Sequence, residues 1–163
     1  MFEMPVNIYA VIDTNVLVSA LFSIHGESNP AIIIRKIIDG TITPLYNEEI
    51  LSEYIEVLGR DKFPFRQTDI EWMINLFKEH GISLSSTSKT DENFIDKDDI
   101  VFYEVALSKE ESYLVTGNIK HFPKKPFIVT PTEMVAIISE MQEIGNRILS
   151  EAGAWYGKRG KGL

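Results

Sequence analysis

The run Val6–Ile12 (VNIYAVI) is apolar, rich in β-branched residues and without a helical period. Such a run reads as a strand buried on both faces, central in a parallel sheet. A strand of that kind must be covered by helices on each side, which restricts the chain to α/β architectures. The rest of the sequence keeps the same alternation. VLVSALF follows Asp13-Thr14-Asn15, three good N-cap types, and predicts a helix. HGESN is a loop. Pro30 opens a second helix to about Asp39, stopped by Gly40. Thr41–Leu45 is a short strand. Asn47 caps EEILSEYIEVLGR, in which Ile50, Leu51, Tyr54, Ile55 and Leu58 recur at three- and four-residue spacing. Thr68 to His80 is a helix ending at Gly81, with Trp72 and Phe77 expected in the core. Ile82–Leu84 is a strand, and Asp98 or Asp99 opens a helix through Ser108. Tyr113–Val115 and Phe127–Val129 are strands, and Pro131 begins a last helix to about Gly145. The expectation is one α/β domain over 1–147, a three-layer α/β/α sandwich with a central, mainly parallel sheet. Residues 148–163 are expected to form a basic, Gly-rich, frayed tail.

Composition removes whole classes of function. The chain has 163 residues and no cysteine. That excludes thiol catalysis, disulfide frameworks and cysteine-ligated zinc or iron–sulfur sites. No apolar run reaches the roughly 18 residues of a membrane helix. MFEMPVNIYAVIDTN lacks the basic start and unbroken apolar core of a signal peptide, so a soluble, cytoplasmic protein is expected. There are 24 acids against 16 bases, for a net charge of −8. A whole-surface grip on nucleic acid is therefore not available; a small basic patch, or acids neutralised by a metal, would be needed.

In open α/β sheets, function gathers beyond the carboxyl ends of the strands. Three places qualify: Asp13 at the end of the first strand, Asp98 and Asp99 at the start of a helix, and Thr116 and Asn118 after the Tyr113–Val115 strand. Taken singly, each has a plain structural role. Asp13 serves equally as a helix N-cap or as a metal ligand or nucleophile. The acids Asp91, Glu92, Asp96, Asp98 and Asp99 suit a helix start or a solvated loop. Glu53 lies at the edge of its helix's apolar stripe, where a surface residue is usual. Taken together, carboxylates converging at one sheet end repel one another unless a proton or a cation offsets the charge. Without cysteine and with three histidines, the natural cation is hard and oxygen-loving, Mg²⁺ or Mn²⁺. Such a site suits phosphodiester hydrolysis.

VIDTNVLVSALF, DKDDIVFYEVAL and YLVTGNIKHFP, in this order and spacing, resemble the PIN-domain family from about Val6 to Glu133. The nearest branch is the toxin component of toxin–antitoxin systems, relatives of the VapC toxins. The resemblance implies an Mg²⁺- or Mn²⁺-dependent endoribonuclease, usually homodimeric and restrained by an antitoxin protein. It assigns catalysis and metal binding to Asp13, Glu53 and Asp99, with Asp99 preferred because it precedes Ala106 by seven residues. Asp98 becomes an alternative ligand or supporting residue. Thr14, Asn15, Thr116 and Asn118 become supporting residues, with Asn15 ordering the turn. The family often has Asp where this chain has Asn118, a departure that weakens a second metal site. RNA phosphates would meet Lys120, His121, Lys124 and Lys125, or Arg60 with Lys62 and Arg66. Trp155 and Tyr156 in the tail could pack on a partner subunit or stack on RNA.

Two competing classes fit less well. A phosphatase of haloacid-dehalogenase type needs a second acid two residues after the first, where this chain has Asn15. A PIN-like module that binds RNA or protein without turnover is opposed by the retained acids.

Overall fold

The computed structural model describes residues 5–85 and 87–161; the side chains of 156–161 lie outside the description. The elements run β1 (Ile8–Ile12), α1 (Thr14–Phe22), α2 (Asn29–Ile38), β2 (Ile42–Tyr46), α3 (Glu48–Leu58), α4 (Gln67–His80), β3 (Ile82–Ser83), α5 (Ile100–Leu107), β4 (Tyr113–Val115), β5 (Ile128–Val129) and α6 (Pro131–Lys161). Two single 3₁₀ turns, Lys97–Asp99 and Ile119–His121, precede α5 and follow β4.

The sheet is parallel throughout, in the order β3-β2-β1-β4-β5. In β1 every residue but Tyr9 is buried, because helices cover both faces. α5 packs on β1, β2 and β4, while α2 and α4 pack on β2. This is the expected α/β/α sandwich. Local signals set the helix starts. The Ser28 side chain caps α2 by accepting from Ala31 N, with Pro30 in the first turn, and Asn47 Oδ1 accepts from Ile50 N at 2.9 Å to cap α3. Tyr54, Phe77 and Phe102 pack ring against ring in the core, with Tyr54 and Phe77 edge-to-face at 5.2 Å.

Two expectations need correction. Trp72 is 43% exposed, whereas Phe77 is fully buried as expected. On α4 the buried stripe is Ile70, Met73, Ile74, Leu76 and Phe77, and Trp72 falls off it. The last helix does not stop at Gly145: α6 continues to Lys161. A glycine inside a helix costs only about 1 kcal/mol relative to alanine. The intervening Arg147, Leu149, Glu151, Ala152 and Ala154 are good helix formers, and no proline follows Pro131. No described helix is long and apolar enough to cross a membrane.

Candidate active site

The chain leaves β1 toward β2 and β3, then returns to lay β4 and β5 on β1's other side. Strand order therefore reverses between β1 and β4, and the crevice at their carboxyl ends is where open α/β sheets bind ligands. Asp13 and Thr116 stand one residue past those two strands, and Asp13 N donates to Val115 O at 2.9 Å.

Asp13 is buried, and three donors hold it. Its Oδ1 accepts from Thr14 N at 2.8 Å, and its Oδ2 accepts from Asn15 Nδ2 at 2.9 Å and from the Thr116 hydroxyl at 2.7 Å. Asn15 ties the turn to the neighbouring strand: its Oδ1 accepts from Gly117 N at 2.8 Å. A Cβ on Gly117 would stand 3.1 Å from that same oxygen, so the approach favours glycine. Asn118 N donates to Thr116 Oγ1 at 3.0 Å, which orients the hydroxyl toward Asp13. The sequence Thr116-Gly117-Asn118 is thus a clamp on the Asp13 carboxylate.

α3 brings Glu53 to the same place. The Thr14 hydroxyl donates to Glu53 Oε2 at 2.6 Å. One residue on, the fully buried Tyr54 donates its hydroxyl to the Ile12 carbonyl, locking α3 against the end of β1. Tyr54 reads in the sequence only as one member of an apolar stripe, so its anchoring role is not visible there.

Asp99 arrives from the other side, as the N-cap of α5. Asp96 Oδ1 accepts from Asp98 N at 2.9 Å and shapes the turn. Asp99 Oδ2 is buried and has no hydrogen-bond partner. His121 Nδ1 lies 3.5 Å from it, within ion-pair reach but too long for a directed hydrogen bond.

The electrostatics record the crowding. Burial, and then the charges of Asp13, Asp98 and Asp99, push Glu53 up to about 7 against the pull of the Thr14 bond. Burial, with Asp13 and Asp96, lifts Asp99 to about 6. Burial also raises Asp13 in spite of its three donors. Tyr54 is raised well above its ordinary value by burial and by the fields of Asp13 and Glu53. Asp13, Glu53, Asp98 and Asp99 therefore share one field at the sheet end.

Among the described residues, no group of three or more histidine and carboxylate side chains is already gathered to hold a metal ion. Mg²⁺ does not need such a cage, since it usually keeps several waters and takes one or two carboxylates. The all-oxygen donor set, the mutual repulsion and a buried Asp99 oxygen that accepts no hydrogen bond fit a hard divalent cation. Asp13, Glu53 and Asp99 are the residues that would hold it, with Asp98 beside them.

Of the basic residues named from the sequence, Arg60 and His121 have a shown relation to these acids. Arg60 feels the fields of Glu53 and Asp98, but its guanidinium is bidentate on Glu56 at 2.8 and 3.1 Å. Arg66 is paired with Asp69, and Lys62 lies over the Phe63 ring. Lys120, Lys124 and Lys125 sit on the loop after Asn118, with Lys125 Nζ 3.3 Å from Glu92. Trp155 is half exposed on α6, and the Tyr156 side chain lies outside the described residues.

A parallel α/β sandwich with acids clustered at its switch point has the architecture of a nuclease-type domain. Residues 9–120, well over half of the chain, match the family model of the PIN domain, and the chain belongs to the PIN domain family. PIN domains are generally nucleases. No curated protein matches the chain.

Proposed function

We propose that the protein is a metal-dependent endoribonuclease, acting with Mg²⁺ or Mn²⁺ and serving as the toxin of a toxin–antitoxin pair. The observation that carries the nuclease reading is the crowding of Asp13, Glu53 and Asp99 at one sheet end, with a buried Asp99 oxygen that accepts no hydrogen bond. When bound, the cation would activate water and neutralise charge developing on the phosphate oxygens. The chain's own part is positional. Thr14, Asn15 and Thr116 donate to the Asp13 carboxylate and fix its direction. Thr14 and the Tyr54 anchor keep Glu53 facing it. Hydrolysis would leave 5′-phosphate and 3′-hydroxyl ends, with no histidine or lysine needed as base. The toxin role, a restraining antitoxin and a homodimer rest on the resemblance of motifs alone.

The test is cleavage of a labelled, mixed-sequence single-stranded RNA by purified protein. Cutting in Mg²⁺ or Mn²⁺, abolished by EDTA and by Asp13→Asn, is expected. Cutting that persists in EDTA, or in Asp13→Asn at the parental rate, would refute the reading. Co-expression with candidate small partner proteins tests the toxin role; growth arrest relieved by one of them is the expected result.

A further inference from the structure

We propose that the loop from Asn118 to Lys125, which is tied to Asp13 through Thr116, is a subsite for one unpaired nucleotide of single-stranded RNA. This rests on the nuclease reading and specifies how its substrate is held.

Beside the loop lies a cavity of about 280 Å³. Its apolar walls are Ile119, Phe122, Pro123 and Ile128, and Lys120, Lys124 and Lys125 stand around it. The volume lies just below the roughly 300–1,000 Å³ of pockets that enclose drug-sized ligands, so it suits one base rather than several. Ile119 is 39% exposed at the mouth and Phe122 is buried at the floor. Lys120 and Lys124 are exposed, and among the described residues neither makes an ion pair. In a chain of net −8, this loop concentrates cations where an anion can be received. An apolar slot ringed by lysines is complementary to a base with its phosphates.

Lys125 is paired with Glu92 at 3.3 Å, so Lys120 and Lys124 are the cations of the cavity that no ion pair occupies among the described residues. The start of the loop is also fixed to the site. Asn118 N reaches Thr116, Thr116 reaches Asp13, and His121 lies 3.5 Å from Asp99. Phe122 packs edge-to-face on Phe94 at 6.0 Å. The loop that walls the cavity is thus tied to the Asp13 carboxylate through Thr116. A base can enter such a slot only when unstacked, which selects single strands, loops and ends over duplex.

The experiment measures binding without cutting. A fluorescent RNA decamer and its duplex are titrated with the full-length Asp13→Asn protein in Mg²⁺ at several salt concentrations. Single strand is expected to bind at least tenfold tighter than duplex. Lys120→Ala with Lys124→Ala is expected to weaken single-strand binding tenfold or more. It should also lower the salt slope by about 1.4, at about 0.7 per single-strand phosphate contact. Ile119→Ser, at an exposed position, is expected to narrow the preference for single strand without changing the melting temperature. Unchanged affinity and slope in the lysine variant, or equal binding of duplex, would overturn the subsite while leaving metal-dependent cleavage by the wild type intact. Wild-type protein that binds RNA through these lysines yet cuts in neither metal would overturn the nuclease reading and keep the subsite.

Discussion

Both oxygens of Asp13 accept hydrogen bonds, yet none of the three bonds is the usual helix cap. A capping Asp normally reaches the second or third amide of the helix. Here Oδ1 takes the first, Thr14 N, and Oδ2 turns to Asn15 and Thr116. Asp13 is the N-cap of α1, and its second oxygen is held by residues of the turn and of the segment after β4. Tyr54 is the residue that keeps Glu53 in register with it. Tyr54→Phe leaves the Ile12 carbonyl without that donor in a fully buried setting and is expected to cost about 1–3 kcal/mol. Urea denaturation should show a lower midpoint at unchanged slope. Thr14→Val removes the donor to Glu53 and should raise the Glu53 pKa further, readable by carboxyl-carbon NMR titration.

At the scale of elements, the sequence was legible where punctuation is chemical. Asn47, Pro30 and Gly81 mark helix ends by caps, ring geometry and close packing, and the helices begin or end beside them. It was less legible where an outcome depends on summed propensity or on a partner distant in sequence. α6 runs past Gly145 because its other residues favour helix, and Trp72 faces outward because α4's stripe is set by what it packs against. Of the site, Asp13, Asp98 and Asp99 were marked by position at a strand end or helix start. Glu53 was marked only by motif resemblance, because it meets Thr14 across 39 residues of chain. Gly81 gives a sharp test of the α4–β3 junction. A Cβ there would stand 2.5 Å from Pro44 O and 2.6 Å from Phe77 O, and both are backbone atoms that cannot swing away. Gly81→Ala is expected to destabilise by about 1–3 kcal/mol or more through overpacking. A melting temperature equal to the parent's would contradict that geometry.

For the whole molecule, the carboxylate cluster makes stability depend on pH in a definite direction. Glu53 at about 7 and Asp99 at about 6 are raised above their ordinary 4.5 and 3.8. Between those limits the folded chain binds more protons than the unfolded one, so stability falls as pH rises. The contribution is complete below about pH 4 and lost as pH passes through 6 to 7. The metal-free protein should therefore lose melting temperature between pH 5 and pH 8 through these groups. Mg²⁺ should restore it at pH 8, where the carboxylates are ionised, and have little effect at pH 5. Asp99→Asn should flatten both dependences.

Mn²⁺ titration calorimetry at pH 8 and pH 5.5 tests most directly whether these carboxylates form a metal centre. The expected result is saturable binding at pH 8, weakened at pH 5.5 because Glu53 and Asp99 must first release protons, and lost in Asp13→Asn. No binding at pH 8, or binding unaffected by both the lower pH and Asp13→Asn, would contradict the account.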